Sequence, residues 1–174
     1  MKTTIVMLSL ALLATAAVVW SQEEVICRDA GMAFQTPDGG WRVNTKLTAP
    51  VAASLVNDDL NATITITYAD YDIYGFDVDY GFIKDKLEKN EKNNFKLTKP
   101  NYDRISLGDK KFSFGRAARL EFSTYDELGY HRTVVYAIAN DTIVYFCSAE
   151  SLEREWPRVE EDFEALVASL RFLP

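Results

Sequence analysis

The stretch DYDIYGFDVDYG, from Asp70 to Gly81, sets four aspartates among aromatics and glycines. Such a composition either chelates a cation or starts a helix. A calcium loop beginning at Asp70 would accept Asp72 at its third position and Gly75 at its sixth. Tyr74 stands at the fifth, however, and Gly81 at the twelfth, where a bidentate glutamate is required. The EF-hand pattern therefore fails. The helix reading explains more, because Asp77 suits an N-cap before Val78 and Asp79 then falls in the first turn, where both carboxylates complement the helix dipole. Asp58 and Asp59 in NDDLNAT could join Asp70 and Asp72 around a cation if the fold brought the two loops together. With Tyr71 and Tyr74 they make the candidate surface for a cation or a protein partner.

Other reactive types are sparse. His131 is the single histidine, so a zinc site would need cysteine and carboxylate ligands from scattered positions; an isolated, partly exposed imidazole is the expectation. The chain contains neither a nucleophile elbow nor a phosphate-cradling glycine loop. Its 26 acidic residues offer many carboxylate pairs of the kind glycoside hydrolases use, yet nothing selects one of them. The expectation is no catalytic constellation, no metal and no cofactor.

The segment MKTTIVMLSLALLATAAVVWSQEE has the parts of an export leader: Lys2, an apolar run, then small residues. Ile5 to Trp20 is too short for the roughly 20 residues of a bilayer-spanning helix, and no basic stop-transfer cluster follows. Residues 1–21 are read as a signal peptide cleaved after Ser21, with a retained signal anchor as the alternative. Residues 22–174 then form one domain, periplasmic or extracellular, with no stable membrane span after cleavage. The whole chain carries a net charge of −7, which becomes −8 without Lys2 and makes nucleic acid a poor partner. In an oxidising space Cys27 and Cys147 could form a disulfide; the other reading is a buried free Cys147 and an unpaired Cys27. Asn61 and Asn140 each open an N-x-Thr sequon.

These residues need elements to hold them. MAFQTPDGGWRV reads as two strands around a turn at Pro37–Gly40. NATITITYA alternates, with Ala62, Ile64, Ile66 and Tyr68 inward and Thr63, Thr65 and Thr67 on a wet face. Phe76, Tyr80, Ile83 and Leu87 follow helical spacing, after which KLEKNEKNN fades into solvated residues. FSFGRAARLEF alternates again, with Phe112, Phe114, Ala118, Leu120 and Phe122 on one side and Ser113, Ala117, Arg119 and Glu121 on the other. YDELG turns the chain back. RTVVYAIA and TIVYFCSA then form a hairpin around Asn140 and Asp141, and both strands are apolar on both sides. WPRVEEDFEALVASLRF is a helix with Pro157 in its first turn and Glu160, Glu161 and Asp162 near its positive start. The fold class is α+β: an antiparallel sheet of about five to seven strands with helices on both faces, an α/β/α sandwich.

The order of these features resembles the PsbP-like family of α/β/α sandwiches, which includes exported bacterial proteins of the DcrB type. FQTPDGGWRV, GRAARLEFSTYDELGYHRTVVYAIANDTIVYFCSA and FEALVASLRF carry the resemblance. It implies accessory or partner-binding work rather than catalysis, and it transfers no site residue. The expected function is therefore an exported, non-enzymatic binding or accessory protein acting on an envelope or secreted protein partner. A small-ligand or cation carrier is the first alternative, and a hydrolase with an unrecognised carboxylate pair the second.

Overall fold

The computed structural model describes residues 23–72, 78–99 and 101–174. The leader read over residues 1–21 lies outside them, as do Tyr74 and Asp77. The chain begins with β1 (Glu24–Cys27) and β2 (Met32–Gln35), then β3 (Arg42–Asn44), β4 (Val51–Asn57) and β5 (Ala62–Asp70). Helix α1 (Tyr80–Asn90) passes through a π-turn at Glu91–Phe95 into the short α2 (Lys96–Thr98). A meander of β6 (Asp103–Phe112), β7 (Gly115–Asp126), β8 (Gly129–Asn140) and β9 (Ile143–Leu152) leads to α3 (Trp156–Ala168) and β10 (Arg171–Phe172). Seven strands make one antiparallel sheet in the order β3-β4-β5-β9-β8-β7-β6. The other three form a small sheet, β1-β2-β10, so the two strands read around Pro37–Gly40 belong to different sheets.

Strand β8 shows how the core is divided. Val134, Tyr136 and Ile138 lie in one apolar cluster with Ile64, Ile66 and the α3 residues Val159, Phe163 and Val167. Val135 and Ala137, the residues between them, lie in a second cluster with Leu120, Phe122, Val144 and the α1 residues Ile83 and Leu87. Period-two alternation in a central strand is thus apolar in both phases. On β5 only one phase is buried. Ile64 and Ile66 are inside, whereas Thr63 is exposed and Thr65 half-buried, as the wet-face reading expected.

Several local readings change. Phe112 and Phe114 do not share a face with Ala118, Leu120 and Phe122, because the segment is two strands rather than one. Phe112 faces Gly115 across a tight turn, which resets the alternation. Both phenylalanines pack against the α3 cluster, with Phe112 edge-on to Tyr136 at 5.3 Å between ring centroids. Helix α1 is capped by Asp79, not Asp77: its carboxylate accepts the Phe82 N–H at 2.7 Å, since the first helical residue is Tyr80. The polar run after α1 is not all solvated. Glu91 is 2% exposed, accepting a hydrogen bond from Tyr102 Oη at 2.9 Å with Lys96 Nζ and Arg104 Nε 3.4 and 3.3 Å away. The β8–β9 turn is Asp141–Thr142, one residue later than expected, with Asp141 in the left-handed region at φ 54°. Pro157 does occupy the first turn of α3, but that turn holds no acid. Glu160 instead approaches Arg119 at 3.3 Å, and Asp162 accepts the indole N–H of Trp41 at 2.8 Å.

A buried carboxylate clasps this side of the sheet. Glu121 on β7, 7% exposed, accepts hydrogen bonds from Arg119, from Arg132 Nε at 2.7 Å and from Ser106 Oγ at 3.1 Å. Arg119 continues to Glu160 of α3 and Arg132 to Glu153, 2.9 Å away. Burial opposes ionisation of Glu121, but hydrogen bonds and charge from the two guanidinium groups outweigh it and hold its carboxyl below the usual range. Asp162 goes the other way: burial raises it, and the Trp41 hydrogen bond offsets only part of that.

Two stability predictions follow from this packing. Leu87 is fully buried and Leu97, ten residues on, is 77% exposed; Leu87→Ala should cost about 2–5 kcal/mol in urea unfolding, and Leu97→Ala no more than about 0.5 kcal/mol. Equal costs would mean that this helical segment is docked differently. Glu121→Gln should cost about 3 kcal/mol at neutral pH by stranding two guanidinium groups. Because the folded carboxyl ionises more readily than the unfolded one, its contribution is complete above the unfolded value and disappears as pH falls through the depressed folded value. The gap between wild type and variant should therefore close in acid; a gap constant with pH would refute the charge-based account.

Candidate functional site

The fold separates the candidate aspartates. Asp58 and Asp59 sit in the turn before β5, and Asp70 and Asp72 at its far end, a strand length of roughly 26 Å away. Each pair is also occupied locally. Asp58 is ion-paired with Arg42 at 2.6 Å. Asp70 Oδ1 accepts the Asp72 N–H at 2.9 Å and the Thr142 hydroxyl at 3.0 Å, closing its own loop. Tyr71 packs edge-on against Phe82, centroids 5.0 Å apart, with Lys86 Nζ 4.8 Å from its ring. The expected shared surface of Asp58, Asp59, Asp70, Tyr71 and Asp72 is thus not assembled. Among the described residues no three His, Cys, Asp or Glu side chains are grouped to hold a metal.

The possible disulfide is not formed either. Cys27 and Cys147 are both buried free thiols. Cys27 Sγ lies 3.5 Å from the Ala52 carbonyl, where it donates a weak hydrogen bond, and burial raises its pKa. Cys147, in the middle of β9, is pushed up to about 12 by burial. Such thiols are poor nucleophiles.

What the structure does gather lies at the β7–β8 hairpin end. Tyr125 and Tyr130 stand opposite each other across the two strands, with ring centroids 4.8 Å apart. They are 47% and 64% exposed, and Leu128 at the tip is 69% exposed. The turn is tied by Asp126, whose Oδ1 accepts the Leu128 N–H at 2.8 Å and lies 3.0 Å from His131 Nε2. The backbone hydrogen bond from Leu128, followed by the contact with His131, keeps the Asp126 carboxyl low. His131 is therefore a partnered side chain, 12% exposed, rather than an isolated one. Two further bonds anchor the strands, from Asn101 Nδ2 to the Tyr125 carbonyl at 2.9 Å and from the Glu153 N–H to the Tyr130 carbonyl at 2.8 Å. The exposed rings are held on a fixed backbone. The motif YDELGY carries this signal in the sequence, two tyrosines bracketing a turn, but exposure itself was not readable there.

Beside the tip, on the Thr63 side of the sheet, is an open groove of ≈ 350 Å³. Its floor comes from three adjacent strands: Thr63 and Thr65 of β5, Ser148 and Glu150 of β9, and Thr133 of β8. Register sets Thr63 and Thr133 on either side of Glu150. Asn61, Leu128 and His131 form the walls. Glu150 is paired with Lys99 from the segment after α2. Thr133 is 4% exposed, and its Oγ1 has no hydrogen-bond partner. The hydroxyls were legible in NATITIT as a wet strand face; the joining of that face to β8 and β9 was not.

No family model matches the sequence, and no curated protein matches it. Solved structures do. The solution structure of cyanobacterial PsbP (CyanoP) from Synechocystis sp. PCC 6803 aligns at a TM-score of 0.64 and 13% identity, over 92% of this chain and 98% of that one. The Saccharomyces cerevisiae Ran-binding protein Mog1p aligns at 0.60 and 12% identity, over 87% and 95%. A Bacteroides thetaiotaomicron protein aligns at 0.55 and 14% identity, over 88% of this chain and 49% of its own. At such identities the likeness is one of architecture, with no site residue carried across. This chain has a PsbP-like fold.

Proposed function

We propose that the protein is an exported, non-enzymatic binding or accessory module that docks a protein partner through the β7–β8 hairpin end. The observation that carries this reading is the trio Tyr125, Leu128 and Tyr130, large apolar side chains held in solvent on an anchored backbone. Exposed aromatics on a rigid support are the usual anchors of interfaces, because they bring contact area at small entropic cost. A PsbP-like fold supports the reading by analogy, since one structural neighbour is described as Ran-binding. The leader pattern supports export. Among the described residues no helix is long and apolar enough to cross a membrane. We read residues 22–174 as one α/β/α layer structure, with α1 and α3 covering opposite faces; the membership of their side chains in separate clusters on alternate β8 residues supports this. Catalysis is not part of the proposal. The buried carboxylates Glu91 and Glu121 are engaged by cations and hydroxyls that the fold itself supplies.

The test is a photo-crosslinking residue placed at position 130 in the full chain, with a second placed at position 89 on α1. A single partner should be captured at 130 and not at 89. The double variant Tyr125→Ser/Tyr130→Ser should unfold at nearly the wild-type temperature while losing that partner by tenfold or more, as befits anchors worth about 2 kcal/mol. Equal capture at both positions, or undiminished capture by the double variant, would remove the hairpin end as the docking surface.

A further inference from the structure

We infer that the groove between the β5–β9–β8 strand face and the hairpin end is a binding site for a small neutral polyol, of the size of a single sugar ring. This inference rests on other side chains than the docking reading, except for Leu128, which belongs to both. The groove floor presents Thr63, Thr65, Thr133 and Ser148 within three adjacent strands. A hydroxyl is both donor and acceptor, so those of Thr63, Thr65 and Ser148 match a ligand whose own groups alternate between the two roles. Ser148 Oγ reaches the Thr65 carbonyl at 3.4 Å as a donor, which leaves its acceptor lone pairs for a ligand.

Charge sharpens the class. The carboxylate in the floor, Glu150, is neutralised by Lys99, the two side chains being 37% and 33% exposed. A free anion would meet Glu150, and a free cation would find that carboxylate already paired. A neutral ligand meets neither penalty, yet can donate to the carboxylate. Volume agrees: ≈ 350 Å³ is at the small end for ligand sites, enough for one ring and a few waters. Among the lining residues only Leu128 has a purely hydrocarbon side chain.

Thr133 supplies the separate observation. It is one of three residues, among those described, with a buried polar side-chain atom lacking a partner. An unpaired buried hydroxyl is unfavourable for the folded chain. Replacing it by an isosteric apolar group would relieve that cost, so the hydroxyl has no evident structural use. A ligand oxygen seated over the floor, with a change in the Thr133 rotamer, would give it one.

The experiment is a ¹⁵N-amide NMR titration of the full chain with glucose, mannose and N-acetylglucosamine, each run separately, and with glucuronate and glucosamine as charged counterparts. At least one neutral sugar should give saturable shifts centred on Thr63, Thr65, Thr133 and Ser148, and the charged ones weaker or none. Thr133→Val should melt at or above the wild-type temperature yet bind about 3- to 10-fold more weakly; if that variant fails to fold, Ser148→Ala is read in its place for the same loss. The inference is overturned if no neutral sugar produces saturable shifts, if the shifts fall elsewhere, if a charged sugar binds better, or if the variant binds as wild type does. The docking variants Tyr125→Ser and Tyr130→Ser leave the groove residues in place, so failure of one reading is distinguishable from failure of the other.

Discussion

Strand β8 is apolar in both phases, and the rest of the architecture answers to that constraint. A strand with one wet face can lie at a surface, but one that sends Val134, Tyr136 and Ile138 to one side and Val135 and Ala137 to the other exposes hydrocarbon whichever way it is turned. Burying it requires apolar partners on each side, at about 25 cal/mol for every Å² withdrawn from water. Val159, Phe163 and Val167 of α3 share a cluster with the first group, and Ile83 and Leu87 of α1 share one with the second.

The polar groups then sort by how far each helix reaches. Where α3 meets β7, the carboxylate of Glu121 sits under two guanidinium groups, of which Arg119 also holds α3 through Glu160. Where α1 passes into α2, Glu91 is enclosed by Tyr102, Lys96 and Arg104. Both are buried charges with partners from more than one element, the condition under which a buried ion is tolerated. Thr133 is different. It shares its side of β8 with Val135 and Ala137, but its neighbours across the strands are Glu150 and Phe122, and no group of the protein meets its hydroxyl. The contrast makes the groove, rather than the charge clusters, one of the places among the described residues where a buried polar group is left unanswered.

How much of this was legible in the sequence depended on the range of the signal. Period-two alternation gave Ile64 and Ile66 against Thr63 and Thr65 correctly, because the pattern lies within one strand. It misassigned Phe112 and Phe114, since a turn of two residues resets the phase and FSFG carries no strong turn signal. The cap was misplaced by two residues because Asp77 and Asp79 are equally good acceptors by type, and only the helix start selects between them. The aspartate cluster failed for a topological reason: Asp59 and Asp70 are close in sequence but separated by the full length of an extended strand. Glu91 sat in a run of lysines and asparagines that reads as solvent-facing. Its burial depends on Tyr102 and Arg104, which arrive from another element. Of the tyrosines at the hairpin end only Tyr125 fell in the YDELG turn, and the reach of the neighbouring elements decided that both stay uncovered.

The small sheet has a consequence for how the chain comes to be folded. β2 is flanked by β1 on one edge and by β10 on the other, so Met32 and Ala33 are paired with residues about 140 positions downstream. Tyr145 ties the same corner to the large sheet by donating to the Ala30 carbonyl at 2.7 Å. During synthesis the segment around β2 emerges before β10 and must wait for the intervening strands before its second edge is covered. Closure of this corner is then a late event with a large loop-closure entropy. In that interval β2 presents an unpaired edge, and the chain is most exposed to strand exchange with a neighbour or to capture by a chaperone.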